Sequence, residues 1–307
     1  MLSRTGQSGH PIGRCRDTMA DMASGTLITV APTGAESAKS DVPALPVTVD
    51  EMVSTAKGCE AAGAAVIHVH LRDSDAKPTL DVARAREVVD AIRETTDLIV
   101  QISSGGAVTD SEESRLGVLE CQPDGASLTC GTVNFGTDVF LNRWEFIERL
   151  YLEMRERRIV PEFELFDLGH VTTMQRLLDK HGAPYGGHVH CDLVMGVPGG
   201  MPGTAHALMS CVNALPAEAT WSATGVGRTT IPVMLAALAA GGHLRVGMED
   251  TITFAPGRPV RDNAELVERA ADLARLAQRP PLSVEDARDM LGLSQDRSIP
   301  TQTGAQA

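Results

Sequence analysis

The sequence predicts an α/β protein with the fold of a TIM (β/α)8 barrel, and three observations predict it. Eight short apolar runs with the pattern of β-strands alternate with eight longer runs of helical period. Nearly continuous apolar strands are typical of parallel sheets covered on both faces, and eight such units in about 250 residues suffice to close a barrel. No G-x-G-x-x-G phosphate loop follows the first strand, which disfavours an open doubly wound sheet.

The predicted elements follow one another in regular order. The strands are expected at residues 26–31, 65–70, 97–102, 125–129, 159–165, 188–194, 219–223 and 243–248. The helices are expected near residues 48–62, 80–94, 111–120, 143–157, 170–181, 203–214, 229–240 and 262–278. Gly63 and Gly182 stand where two helices are predicted to end, because glycine readily adopts the backbone conformation of a helix C-terminus.

The barrel is predicted to form a single catalytic domain at residues 26–293. Residues 1–25 are expected to form a polar N-terminal extension, and the polar, aperiodic residues 294–307 a disordered tail. No apolar segment reaches the length of about 18 residues that spans a bilayer, and the start lacks the apolar region of a signal peptide. A cytoplasmic location is therefore expected.

The charge and the cysteine pattern disfavour several classes of function. A formal net charge of −13 disfavours nucleic acid or an anionic membrane surface as the main partner. The six cysteines include no C-x-x-C pair, which is typical of reduced thiols and not of a disulfide framework or a thiolate zinc cage. A metal ion would therefore need histidine and carboxylate ligands, and small molecules are the expected partners.

Two histidine pairs have the spacing of a metal site on a strand. In AVIHVHLRD, His68 and His70 lie two residues apart, so they share one face at the end of the second strand. His188 and His190 repeat the pattern, but they begin the sixth strand. Catalytic groups of TIM barrels project from the C-terminal ends of the strands. Position therefore favours the first pair as metal ligands, while a structural role is the alternative for each pair.

The end of the eighth strand offers a third ligand. In GGHLRVGMED, Glu249 and Asp250 end the predicted strand, and Arg245 lies four residues before Glu249 on the same face. Two carboxylates and a guanidinium are costly to bury unless they pair with a metal, a ligand or each other. A catalytic zinc ion needs a third protein ligand, which one of these acids would supply. A structural Arg–Glu pair is the alternative.

Other polar residues are predicted at the barrel mouth. The segment ISSGGAV at 102–108 could hold a carboxylate on its N–H groups and hydroxyls. Arg228, in GVGR, follows the seventh strand, where barrels often bind phosphate. Glu36 follows the first strand and Glu164 ends the fifth, which places negative charge at the rim. These features predict a substrate with a carboxylate at one end and a cation at the other.

Eight motifs over residues 26–290 together resemble one known family. They are TGAE, IHVHLRD followed by KPT, ISSGGAV, ASLTCGTVNFG, PEFELFDLGH, GVPGGMPG, TWSATGVGR and GGHLRVGMED. The chain resembles the β-keto acid cleavage enzymes. The resemblance implies a zinc-dependent, homotetrameric TIM barrel that condenses a β-keto acid with acetyl-CoA and yields acetoacetate and a new acyl-CoA. The implied keto acid is 3-keto-5-aminohexanoate or another with a cationic ω-group.

The resemblance also assigns roles to single residues. The implied zinc ligands are His68, His70 and Glu249, with Asp250 as general base and Arg245 as its partner. The motif serine, counted with the catalytic residues, falls on Ser103. The substrate-binding positions fall on Gly105, Gly106, Ser127, Thr129, Glu164 and, for the amino group, Glu36. With acetyl-CoA as co-substrate, the phosphate candidate Arg228 becomes a CoA contact.

Three positions depart from the family pattern. Thr129 and Thr251 stand where asparagine is expected, and Ser104 replaces a threonine. These departures leave the metal ligands intact. They affect the substrate pocket and therefore which acyl chain it accepts.

Two other classes of protein are weighed against this resemblance. A metal-dependent hydrolase of the amidohydrolase kind also has an HxH pair and an acid on strand 8, but its HxH pair normally lies on strand 1. Such a hydrolase also takes histidine ligands from strands 5 and 6. In this chain His170 and His188 are poorly placed for that role. A non-catalytic metabolite-binding barrel has no need of a metal beside a base, which disfavours it as well.

Overall fold

The predicted barrel closes. A computed structural model describes residues 25–293, in which eight parallel strands form one closed barrel, with β1 paired to both β2 and β8. The strands are β1 (Ile28–Val30), β2 (Val66–Val69), β3 (Ile99–Ile102), β4 (Gly125–Thr129), β5 (Val160–Leu165), β6 (His190–Met195), β7 (Thr220–Gly225) and β8 (His243–Val246). The TIM-barrel fold class is therefore confirmed, and every barrel strand overlaps its predicted range.

Helices follow the strands and cover the outside of the barrel. Over residues 25–293 they are α1 (Val49–Ala62), α2 (Val82–Thr95), α3 (Glu112–Gly117), α4 (Trp144–Glu156), α5 (Leu168–His181), α6 (Ala205–Val212), α7 (Thr230–Ala239), α8 (Asn263–Leu276) and α9 (Val284–Met290). Gly63 ends α1 in the left-handed conformation and Gly182 ends α5, as predicted. Short 3-10 turns at Val118–Cys121 and Gly227–Thr229 complete the described helical segments.

Three short hairpins at the barrel mouth were not predicted from the sequence. They pair Leu71–Arg72 with Pro78–Thr79, Val133–Phe135 with Asp138–Phe140, and Thr253–Ala255 with Arg258–Pro259. Each hairpin follows a barrel strand, β2, β4 or β8, and therefore stands at its C-terminal end. Strands of two or three residues are too short for a hydrophobic period to reveal them.

The unpredicted helix α9 covers the opposite, N-terminal end of the barrel. Leu291 and Leu293, at the end of this segment, pack against Val66 and Ile99 at the starts of strands. Burial of these apolar side chains stabilises the floor of the barrel at about 25 cal/mol per Å² of surface removed from water. The C-terminal ends of the strands are thus left as the place for a binding site.

The other expectations about the chain are limited by what the structure describes. The N-terminal extension, apart from residue 25, and the C-terminal tail lie outside the described residues. Between residues 25 and 293, no helix is both long and apolar enough to cross a membrane. The five cysteines in that range are free thiols, and all are buried.

Candidate active site

A cavity of about 270 Å³ opens at the C-terminal ends of the strands. Nine of the residues singled out in the sequence line it, which are Glu36, His70, Ser103, Gly105, Gly106, Glu164, Arg245, Glu249 and Asp250. They come from segments that lie far apart in the chain, and closure of the barrel brings them together. The position agrees with the rule that TIM-barrel sites lie at this face.

His68, His70 and Glu249 lie close together, and His70 and Glu249 line the cavity while His68 is buried behind it. Nε2 of His70 lies 3.5 Å from Oε1 of Glu249, and Nε2 of His68 lies 4.0 Å from the same oxygen. The three residues form a group whose possible ligand atoms all lie within 4.8 Å of one another. The buried atoms Nε2 of His68 and Oε2 of Glu249 have no hydrogen-bond partner. Two buried polar atoms left without partners within this group fit a metal ion, because leaving such atoms unpaired is costly.

The protonation states of these residues suit metal binding. Burial and the nearby charge of Arg245 lower the pKa of His68 to about 4, so its imidazole is neutral at pH 7. Burial opposes ionisation of Glu249, but Arg245 and the two imidazoles hold the pKa of this carboxyl well below its usual range. A neutral imidazole and an ionised carboxylate are the forms that bind a metal ion.

A tight turn positions Glu249. The eighth strand ends at Val246, two residues earlier than predicted, so Glu249 and Asp250 lie in a turn and both side chains reach Arg245. The prediction that these two acids end a strand is therefore wrong at its boundary. Gly34, with a φ of +66°, passes close to this turn, and a Cβ atom there would lie 2.7 Å from Cγ of Glu249. A side chain at position 34 would displace the carboxylate.

Arg245 is the hub of a buried ionic network. Its guanidinium lies 3.2 Å from Glu164, 3.7 Å from Asp192 and 3.1 Å from Asp250, and it also pairs with Glu249. Burial works to lower the pKa of Arg245, but these carboxylates together raise it well above its ordinary value. The predicted Arg–Glu pair is thus part of a larger cluster. In this cluster four acids surround one guanidinium, so a further cation nearby would be stabilised.

Asp250 has the environment of a base. It is 5% exposed, lines the cavity and accepts a hydrogen bond of 3.1 Å from Arg245. Burial raises the pKa of Asp250 to about 7, against the opposing charge of Arg245. A carboxylate with a raised pKa is a stronger base than an exposed aspartate.

The serine–glycine loop (residues 103–106) forms another wall of the cavity. Gly106 has a φ of +62°, and Oγ of Ser103 accepts a hydrogen bond from the N–H of Gly105. Behind the loop, the buried Arg115 donates to the carbonyl oxygen of Ser104 at 2.8 Å. Arg115 could not be recognised from the sequence, because it stands in a predicted helix among other charged residues.

Ser127 and Thr129, predicted to contact substrate, lie behind the cavity wall. Both are buried, and neither lines the cavity. Oγ of Ser127 accepts a hydrogen bond from the N–H of Ser104, and the hydroxyl of Thr129 donates to Oε2 of Glu164 at 2.8 Å. In this structure they support lining residues and do not themselves face the cavity.

Glu36 and Arg228 stand near the mouth in different settings. Glu36 is exposed and lines the cavity at the loop after β1. Arg228 is exposed in the turn Gly227–Thr229 after β7 and does not line the cavity. A phosphate-binding role for Arg228 therefore depends on a ligand that extends beyond the cavity.

Sequence reasoning missed the apolar side of the cavity. Phe135 and Phe140 from the hairpin after β4 pack edge to face at 6.4 Å, and Phe135 meets Phe166 at 6.1 Å. Val194 and Val197 extend this apolar wall, and all five residues line the cavity. The three phenylalanines share no periodic spacing in the sequence, so their contact could not be predicted from it.

The second histidine pair lies away from the cavity, as its position on the strand predicted. The ring nitrogens of His190 lie 2.8 Å from the hydroxyl of Thr220 and 3.1 Å from that of Ser222. His188 precedes β6 and is 2.7 Å from the same hydroxyl of Thr220. Neither histidine belongs to a possible metal cluster among residues 25–293.

Asp192 is a member of the ionic network that sequence reasoning missed. It is fully buried on β6, and its two carboxylate oxygens lie 2.9 and 2.7 Å from the hydroxyl of Thr224, which donates to them. Its signal was present in the sequence, because an acid inside an otherwise apolar strand is costly to bury without a partner.

Comparisons with known proteins identify the family of the chain. The family described as beta-keto acid cleavage enzyme matches the chain over residues 26–293. The chain belongs to this family. It is 39% identical over 274 residues to the 3-keto-5-aminohexanoate cleavage enzyme of Acetoanaerobium sticklandii, an alignment that covers 87% of this chain and 98% of the relative. The resemblance stated from the motifs is therefore confirmed.

A second relative and a solved structure widen the comparison. The family member named 3-oxoadipate:acetyl-CoA acetyltransferase, from Cupriavidus necator, is 35% identical over 87% of this chain and 94% of its own length. The apo structure of ObcA matches 81% of this chain and 66% of that chain with a TM-score of 0.74 at 20% identity, which supports the barrel fold. The comparisons give no support to the alternative of an amidohydrolase-like enzyme.

Proposed function

We propose that this family member condenses a β-keto acid with acetyl-CoA and releases acetoacetate and a new acyl-CoA. The observation that carries the proposal is the convergence of two histidines, one carboxylate and a buried neighbouring acid beside one cavity. The names of the two relatives support the same class of substrate, although one substrate carries an amine and the other a second carboxylate.

Zinc is the metal proposed for this site. His68, His70 and Glu249 would hold it, since two imidazoles and one carboxylate are a typical ligand set of catalytic zinc and leave a position open. When bound, the ion would supply a Lewis acid that polarises a carbonyl oxygen of the keto acid. The negative charge gathered around Arg245 favours a divalent cation at this place.

Asp250 is the proposed base of the reaction. Its carboxylate removes a proton from the carbon between the two carbonyl groups of the keto acid, and Arg245 holds the carboxylate in position. That carbon attacks the acetyl carbonyl and displaces the CoA thiolate. The thiolate then attacks the original keto carbonyl, the C–C bond beside it breaks, and Asp250 returns its proton to the acetoacetate carbon. One keto acid and one acetyl-CoA thus give one acetoacetate and one acyl-CoA.

The two ends of the cavity suggest how the keto acid lies. The serine–glycine loop offers N–H groups and the hydroxyl of Ser103 to the substrate carboxylate, with the charge of Arg115 behind it. The apolar wall contacts the carbon chain, and Glu36 at the rim faces the ω-group. We therefore propose a keto acid with a cationic ω-group.

A panel of substrates tests this function. The zinc-loaded protein is mixed with acetyl-CoA and with β-keto acids whose ω-groups are cationic, neutral or anionic, and products are measured by mass spectrometry. Acetoacetate and the matching acyl-CoA should appear in equal amounts, and neither should form without acetyl-CoA. Cleavage that proceeds equally well without acetyl-CoA would instead indicate a hydrolase or a simple lyase.

Glu36→Gln tests recognition of the cation. The substitution removes the rim charge and keeps its size, so kcat/KM for the ω-amino keto acid should fall about fivefold, as expected for an exposed ion pair of ~1 kcal/mol. The value for a neutral keto acid of equal length serves as the internal control and should not change. An equal loss on both substrates, or on neither, would remove amine recognition from the role of Glu36.

The solution properties expected from the sequence stay predictions. Light scattering of the purified protein measures whether it forms the homotetramer implied by the resemblance. The cytoplasmic location can be measured by fractionation of cells that produce the protein.

A further inference from the structure

Gln101 lies directly behind the proposed metal ligand His68. The two residues are opposite each other in the parallel pairing of β2 and β3, and both are buried. Nδ1 of His68 lies 2.5 Å from Oε1 of Gln101, a short hydrogen bond between an imidazole and a side-chain amide. The function proposed above does not use Gln101.

This contact selects one tautomer of His68. An amide oxygen only accepts hydrogen bonds, so Nδ1 must carry the proton and Nε2 must present its lone pair. Nε2 is the buried atom without a hydrogen-bond partner, and it faces Glu249. Without Gln101, the opposite tautomer could direct its N–H group at the Glu249 carboxylate and so block the position of a metal ion.

The group that accepts from Nδ1 is a neutral amide and not a carboxylate. The acids already buried inside the barrel explain this difference. Arg245 already meets four carboxylates, and Glu162 adds a fifth buried carboxyl group. A carboxylate in place of Gln101 would bring one more negative charge into a region of low dielectric. The amide accepts the same hydrogen bond without that cost.

Glu162 on β5 is the acid nearest to the other end of this chain of contacts. The side chains of Gln101 and Glu162 line the same small cavity below the active site. Gly125 on β4 stands between these strands, paired with Gln101 on one side and with Val160 on the other. Because the Oε1 atom of Gln101 meets His68, its NH₂ group is the donor left for the carboxyl group of Glu162.

We propose that Gln101 is a positioning residue for the metal site, which holds His68 in the tautomer with a free Nε2, and that Glu162 orients the Gln101 amide. This inference rests on the proposed function, because it takes His68 as a metal ligand. Partners of metal-bound histidines typically change metal affinity by about 10- to 100-fold when they are removed.

The affinity of the full-length apo protein for zinc, measured by competition with a chromophoric chelator, tests the inference. Gln101→Leu should weaken zinc binding about 10- to 100-fold. Gln101→Glu keeps an acceptor on Nδ1 and should therefore bind zinc more tightly than Gln101→Leu, although the added buried charge should lower the stability of the apo protein. Gln175→Leu is the matched control, since Gln175 on α5 donates to the carbonyl oxygen of Ala214 in the turn after α6. Unchanged affinity in Gln101→Leu would overturn the proposal.

Two further measurements separate positioning from a merely structural role. Long-range ¹H–¹⁵N spectra of histidine-labelled apo protein report the tautomer of His68, which should shift in Gln101→Leu and not in Gln175→Leu. Glu162→Leu should weaken zinc binding, whereas Glu162→Gln, which keeps an acceptor, should not; equal affinity in both would remove Glu162 from the proposal. If wild type binds no zinc, the metal site of the proposed function fails; if wild type and Gln101→Leu bind it equally, only this inference fails.

Discussion

Replacing His68 with alanine is expected to abolish stoichiometric zinc binding and, with it, formation of acetoacetate. The side chain supplies one of three converging ligand groups, and its Nε2 atom has no other partner. Loss of a ligand should weaken metal affinity by at least the ~100-fold that removal of a supporting partner can cause. Metal analysis of the protein after gel filtration measures this effect.

His188→Ala is the matched control for this substitution. His188 is also a histidine of an HxH pair. It precedes β6, contacts the hydroxyl of Thr220 and belongs to no possible metal cluster among the described residues. This variant should keep its zinc. If His188→Ala lost the metal and His68→Ala kept it, the site would have been placed at the wrong histidine pair.

The loss of zinc can also be measured as a change in melting temperature. A metal ion that binds the folded state raises the melting temperature by mass action. A chelator should therefore lower the melting temperature of wild type and of His188→Ala. It should leave that of His68→Ala unchanged, because no metal is bound there to remove.

Asp250→Asn is expected to lower kcat by about 100- to 10,000-fold, the usual contribution of a general base. Asparagine keeps the shape of the side chain and an oxygen that can accept from Arg245, but it cannot take a proton. Zinc content should remain at the wild-type level, since Glu249 and the two histidines are intact. Steady-state kinetics with acetyl-CoA and the preferred keto acid measure the change.

Asp272→Asn provides the control for the loss of an acid. Asp272 pairs with Arg275 on the outer face of α8, with its side chain 74% exposed, so turnover should not change. Activity of Asp250→Asn within about threefold of wild type would exclude Asp250 as the base. A loss of zinc together with activity would instead indicate that Asp250 supports the metal site.

Much of the fold could be predicted because its signals are local. The alternation of strand and helix patterns identified eight units, and Gly63 and Gly182 marked two helix ends through their backbone freedom. The spacing of His68 and His70 placed both side chains on one face of a strand end. The hairpins and α9 escaped prediction because their segments are short and their partners lie elsewhere in the chain.

The candidate site, too, could be predicted only in part from the sequence. Glu249 and Arg245 could be linked through their four-residue separation, and the motifs supplied the metal ligands by resemblance. Gln101 behind His68, and Asp192 beside Arg245, depend on which strands become neighbours and on which side chains reach across the barrel. No spacing within one segment contains that information.

The alternation of eight βα units, and the polar residues near the strand ends, are local properties of the chain and could be predicted from it, because side-chain direction in a strand follows its two-residue period. Which of these residues meet depends on the closed barrel. His68 and Glu249 are brought together by closure of the barrel, through the pairing of β1 with both β2 and β8. The turn after β8 then directs Glu249 and Asp250 to the same guanidinium, which a continued strand would have kept apart.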